Sequence, residues 1–220
     1  MKIPSAPVKF AELKALGLGV SLLLAVYIPA FVVTALIRPR IELAIALIVA
    51  VTLLVATLLI FVLARARAGF AEFGFAIPHS PYVGIALASG LALGLVAALL
   101  NHLVPSKPPF DVSGFAPWKI GLYFVVGASI QEEVIFRGLI QSIVERHCPA
   151  VFSLRGVSIS IAAAFAAVLF AAVHLEVGAV VAVGALILGV VAGELRRRSG
   201  SLLPAIIVHA LFNCVDAVWH

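Results

Sequence analysis

Six polar side chains interrupt long apolar runs in the second half of the chain: Glu132, Glu133 and Arg137, then His174, then His209 and Asn213. A carboxylate beside an imidazole can take a proton from water, and imidazole or amide N–H groups can hold the oxyanion that forms when that water attacks a carbonyl. Those are the groups that peptide hydrolysis needs. At membrane depth an ionisable side chain costs on the order of 3 kcal/mol, so such groups are kept where they face one another or water.

The spacings place these residues in pairs. Glu133 and Arg137 stand at i and i+4, on one helix face and in the order that favours an ion pair. Glu132 lies about 100° around the same helix, free to project elsewhere while the arginine holds its neighbour. Two adjacent carboxylates with one guanidinium cannot both be neutralised, which leaves one for general-base chemistry and one for structure. An ion-paired helix end with both acids at the interface fits the same spacing. Phe170 and His174 are one turn apart, as are His209 and Asn213. Taken singly, His174 fits an interfacial histidine, and the His209/Asn213 pair fits hydrogen bonding between membrane helices. Together the three groups supply a base and oxyanion donors on three separate segments.

The elements that must carry these residues are membrane helices. The 220 residues are 64% apolar and 11% charged, with a mean hydropathy of +1.22, far from the roughly 25% charged content of globular domains. The fold class is an all-α polytopic bundle. Runs of roughly 20 apolar residues predict about seven spans: Gly17 to Ile37, Glu42 to Ala64, Val83 to Val104, Pro117 to Glu145, Val157 to Leu175, Gly178 to Leu195 and Ser201 to Trp219. The first is too long for a signal peptide and has no small-residue cleavage site, so it is expected to stay as an anchor. The net charge of +5 comes from residues flanking apolar runs, where they set orientation and meet lipid headgroups, so no nucleic-acid partner is expected.

Between the second and third spans, Ala68 to Tyr82 carries Phe70, Phe73 and Phe75 and reads either as an interfacial segment or as a loop with scattered aromatics. Gly90 with Gly94, and Gly189 with Gly193, have the small-xxx-small spacing of closely packed membrane helices. Cys148 and Cys214 fit no metal-ligand or disulfide pattern. Asn101, His102 and Glu194 are expected near span ends, and Glu42, Glu72, Glu145, Glu176 and Asp216 at ends or in loops. His79, His147 and His220 are expected in solvent.

The motifs resemble the CPBP family of intramembrane proteases, which includes the prenyl-protein CAAX endopeptidases and related bacterial self-immunity proteins. EEVIFR at Glu132 to Arg137 matches the family's EExxxR, FAAVH at Phe170 to His174 its FxxxH, and HALFN at His209 to Asn213 its HxxxN. The likeness covers roughly Pro117 to Trp219, while the first three spans match only as hydrophobic helices. It implies a single membrane domain in which residues 1–116 supply N-terminal helices and 117–220 the catalytic core, with a site open to the cytoplasmic side. In that analogy Glu132 activates water with His174, His209 and Asn213 stabilise the oxyanion, and Glu133 and Arg137 orient the group.

No cofactor is favoured, although Glu132, His174 and His209 could hold a divalent ion such as zinc by type. The implied activity is endopeptidase cleavage near the C-terminus of a lipidated or membrane-anchored protein or peptide. The competing readings are a non-proteolytic immunity or partner-binding membrane protein on the same fold, and a proton-coupled transporter. The transporter reading lacks paired inverted halves.

The localisation implied is a multi-pass integral membrane protein, in the plasma (inner) membrane if the source is bacterial. With seven spans, one side collects Lys2, Lys9, Lys14, Arg65, Arg67, Arg146, Arg155, Arg196, Arg197 and Arg198, and the other only Arg38, Arg40, Lys107 and Lys119. The positive-inside rule then puts the N-terminus and the Arg196 to Arg198 turn in the cytoplasm and the C-terminus outside. Reporter fusions at His220 check this: an external signal is expected, and a cytoplasmic one means a miscounted span.

Overall fold

The computed structural model describes residues 10–37, 40–66, 69–78, 81–104, 114–154 and 157–219, and seven helices lie among them. In hydrocarbon every backbone N–H and C=O must be bonded within the segment, so uninterrupted apolar runs become helices. α1 (Phe10–Ile37), α2 (Ile41–Ala66) and α3 (Tyr82–Leu103) follow from such runs. α4 is continuous over residues 117–147 and opens with Pro117 in its first turn, where a missing N–H costs nothing. Two π-helical stretches, Gly121–Gly127 and Val134–Gln141, flank the α-helical turn Ala128–Glu133. Wide turns of this kind recur at functional sites.

Strands β1 (Val151–Leu154) and β2 (Val157–Ser160) form an antiparallel hairpin pairing Val151 with Ser160 and Ser153 with Ser158. α5 (Ile161–Val173), α6 (Ala179–Ser199) and α7 (Leu203–Trp219) complete the bundle. The hairpin corrects one expected boundary. Val157-Ser158-Ile159-Ser160 alternates apolar and polar residues with the strand period, and the Ser160 side chain caps α5 by accepting from the Ala163 N–H at 3.1 Å. α5 therefore has 13 residues, about 20 Å of rise against the ~30 Å of hydrocarbon a full crossing needs. α1, α2, α3 and α6 are long and apolar enough to cross a membrane, whereas α5 and α7 are apolar but shorter. The chain is an all-α membrane bundle, and four of its helices combine the length and the apolar composition for crossing by themselves.

α4 is the axis of the bundle. A Cβ on Gly127 would meet Val49 at 3.5 Å and one on Gly138 would meet Ile60 at 3.5 Å, so α2 runs parallel to α4 in constant register. α5 and α6 form an antiparallel pair in which Gly189 and Gly193 face Ala167 and Ala163. α3 lies along α7 through Gly90 and Gly94, whose added Cβ atoms would fall 2.8 Å from Leu211 and Val215. One apolar core joins Val26, Ala56 and Ala86 to Phe136, Phe170, Leu188 and Val208.

Polar contacts close the arginine-rich end. Arg196 pairs with Glu145 at 3.1 Å and donates to the Ser142 hydroxyl at 2.6 Å and to the Glu72 carbonyl. Arg146 pairs with Glu72. Glu194 accepts from the Ser160 N–H at 2.7 Å and binds Arg197 and Arg198. In the connection after α2, Phe70–Phe73 makes a single 3-10 turn between Gly69 and Gly74, both at positive φ. Phe73 plugs the core while Phe70 and Phe75 remain exposed. Asn101 donates to Asp216 at 2.8 Å near the opposite end. His79, His220, Lys2, Lys9, Arg38, Arg67, Lys107 and Arg155 lie outside the described residues.

Gly90 offers a direct test of the packing. Gly90→Ala places a methyl 2.9 Å from the Val208 carbonyl oxygen and is expected to destabilise the protein by about 1–3 kcal/mol, the usual range for overpacking. Gly84→Ala, with nothing within 4 Å, should be neutral or slightly stabilising. Thermal unfolding of the purified variants in detergent measures both.

Candidate active site

The sequence brings its polar residues to one place because the three helices that carry them meet across Phe170. α4 contributes Glu132, Glu133 and Arg137, α5 contributes His174, and α7 contributes His209 and Asn213. The His174 and His209 rings lie 4.6 and 5.6 Å from the Phe170 ring.

Glu133 and Arg137 are fully buried, with Arg137 Nη1 3.1 Å from Glu133 Oε1. The guanidinium sits over the Phe170 ring at 4.7 Å and near the Phe136 ring at 5.8 Å. It makes no well-aligned hydrogen bond, so ion pairing and the aromatic faces hold it. Room for it comes from α6, where a Cβ on Gly189 would fall 3.1 Å from Arg137 Nη2.

His209 joins the two carboxylates. Its Nδ1 lies 2.8 Å from Glu133 Oε1 and its Nε2 3.5 Å from Glu132 Oε2. A carboxylate only accepts, so Nδ1 carries the hydrogen given to Glu133. Glu132 keeps 16% side-chain exposure where Glu133 has none.

His174 caps the end of α5, with Nδ1 2.7 Å from the Phe170 carbonyl oxygen. That oxygen also only accepts, so Nδ1 holds a hydrogen and Nε2 is the ring nitrogen left for another partner. Asn213 Nδ2 donates to the Phe124 carbonyl at 2.9 Å and to the Ser129 hydroxyl at 3.3 Å. Phe124 belongs to the first π-helical stretch, so Asn213 ties that stretch to α7. Glu132, His174 and His209, which could hold a divalent ion by type, do not form a three-ligand group among the described residues, and with each Nδ1 on an oxygen, Nε2 is the nitrogen such an ion would take.

Residues 114–215 match the family model for type II CAAX prenyl endopeptidase, Rce1-like. This matched segment covers just under half of the 220 residues. All six polar residues fall inside it, and its family supports intramembrane endopeptidase activity. No curated protein and no solved structure matches the chain.

Several supports of the site are not visible in its motifs. Ser129 is fully buried beneath Asn213, and the buried Gln141 donates to the Gly193 carbonyl at 3.0 Å, joining α4 to α6. The glycine spacing in α6 signals close packing, but not that one glycine makes space for an arginine. Cys148 is buried and Cys214 exposed, both as free thiols.

Arg137→Ala leaves Glu133 uncompensated and is expected to cost about 3–5 kcal/mol. Replacing the pair together, with Glu133→Gln and Arg137→Met, should recover most of that loss. Unfolding midpoints in one detergent compare them, and equal destabilisation by the single and double changes argues against the pair.

Proposed function

We propose that the protein is an intramembrane endopeptidase that hydrolyses a peptide bond near the C-terminus of a lipidated, membrane-associated protein or peptide. The observation that carries this reading is the His209 bridge, which joins the partly exposed Glu132 to an otherwise buried charge cluster. Water between Glu132 and His174 loses its proton to the Glu132 carboxylate as it attacks the carbonyl carbon. The free Nε2 of His174 accepts the water's other hydrogen and fixes its direction.

The oxyanion then meets His209 and Asn213. Glu133, held by Arg137, accepts from Nδ1 and stabilises a positively charged ring, whose Nε2–H turns from Glu132 to the developing oxyanion. The Asn213 amide exchanges its longer contact, to Ser129, for the same oxygen and keeps its shorter one to Phe124. Glu132 finally returns its proton to the leaving amine. Every step in this route is carried by side chains of the chain itself.

Glu132→Gln preserves volume and hydrogen bonding but removes the base, so turnover of a prenylated peptide ending in a CAAX box should fall about 10²- to 10⁴-fold while the protein stays folded. Asn213→Ala should lower turnover about 10²- to 10³-fold, as loss of one oxyanion donor does. The assay uses purified protein in detergent or vesicles. Full activity in Glu132→Gln would remove the proteolytic reading from this site.

A further inference from the structure

We infer that Tyr27, on α1 and outside the segment that matches the family model, is a positioning residue for the Glu132 carboxylate. This inference rests on the proteolytic reading above. Its first ground is helix register. A Cβ on Gly19 would contact Val144 at 3.2 Å and Ile140 at 3.4 Å. α1 runs antiparallel to α2 and hence to α4, so eight residues onward from Gly19, at Tyr27, the level on α4 is eight residues back, at 132–136. Val26 and Ala30, on the same stretch of α1, are 0% and 1% exposed, and Tyr27 packs against the same core.

The second ground is polar. The Tyr27 hydroxyl is near the Gln131 side chain and lies within electrostatic range of Glu132. Gln131 is itself 3% exposed. A phenol at membrane depth must place its O–H on an acceptor. When Gln131 gives an amide N–H to the phenol oxygen, the phenol hydrogen is free to reach the Glu132 carboxylate, directly or through one water. Glu132 has His209 Nε2 on one side at 3.5 Å, and Tyr27 supplies the opposing contact that aims it at the attacking water. α1 thereby becomes part of the working site instead of a hydrophobic anchor.

Two readouts on purified full-length protein test this. The chain has three tyrosines, Tyr27, Tyr82 and Tyr123, so 3-fluorotyrosine labelling gives three fluorine signals, with that of Tyr27 identified by its loss in Tyr27→Phe. Glu132→Gln should shift the Tyr27 signal alone, whereas Glu42→Gln, at the start of α2, should leave it in place. On a prenylated CAAX peptide, Tyr27→Phe should lower kcat by about tenfold or more with KM changed less than about twofold and an unchanged unfolding midpoint.

An unmoved Tyr27 signal overturns the inference, as does full kcat in a folded Tyr27→Phe. If Tyr27→Phe does not fold, the fluorine response to Glu132→Gln still decides the contact, with that of Tyr82 and Tyr123 identifying the remaining signal. Full turnover in Glu132→Gln defeats the proteolytic reading instead, and the fluorine signal then decides the contact by itself.

Discussion

A guanidinium with no exposure to solvent, at membrane depth, is the constraint around which the rest of this bundle is arranged. Arg137 must be balanced, and Glu133 balances it one turn away at 3.1 Å. The pair also needs space and faces that tolerate charge. Gly189 supplies the space, and the Phe170 and Phe136 rings supply the faces. A buried pair of this kind is weak evidence for stability, because desolvation offsets much of the attraction. Its clearer consequence is orientation: Glu133 holds Nδ1 of His209 and so fixes which nitrogen turns toward Glu132.

Helix packing converts that local geometry into a site. α3 seats α7 through Gly90 and Gly94, which sets the depth of His209 and Asn213. α5 falls short of a full crossing because the β1–β2 hairpin takes up residues before its start that hydropathy alone assigns to a helix, while His174, its C-cap residue, lies beside Phe170 one turn back. The arginine-rich end closes the bundle with Arg196, Glu145, Ser142 and the Glu72 carbonyl. Surface ion pairs contribute little singly, but Arg196 is 7% exposed and its network joins three separate segments, which is where such pairs carry weight.

Side-chain type and spacing made much of this legible before any coordinates. The i, i+4 pairs gave Glu133 with Arg137, and the apolar runs gave the helices to within a few residues at most ends. Small-residue spacing marked α3 and α6 as closely packed helices, but not α7 and α5 as their partners. The β hairpin was hidden because Val157 to Ser160 is apolar enough to extend a hydropathy window, and the strand period shows only over four residues. π-helical turns have no compositional signature, so the contact between Asn213 and the Phe124 carbonyl could not be read. Tyr27 was hidden for another reason: it sits in an apolar stretch with no neighbouring charge, and its partners are more than a hundred positions away. The Arg196 network was likewise a matter of which helix ends meet.

The account's central claim is that Glu132 acts on water and does not itself attack the peptide. A single turnover of a prenylated CAAX peptide in heavy-oxygen water separates the two, with product and protein analysed by mass spectrometry. The account predicts heavy oxygen in the new peptide carboxylate during the first turnover and none in the Glu132 side chain. An unlabelled first product together with heavy oxygen in Glu132 would make that carboxylate a covalent nucleophile and contradict the account.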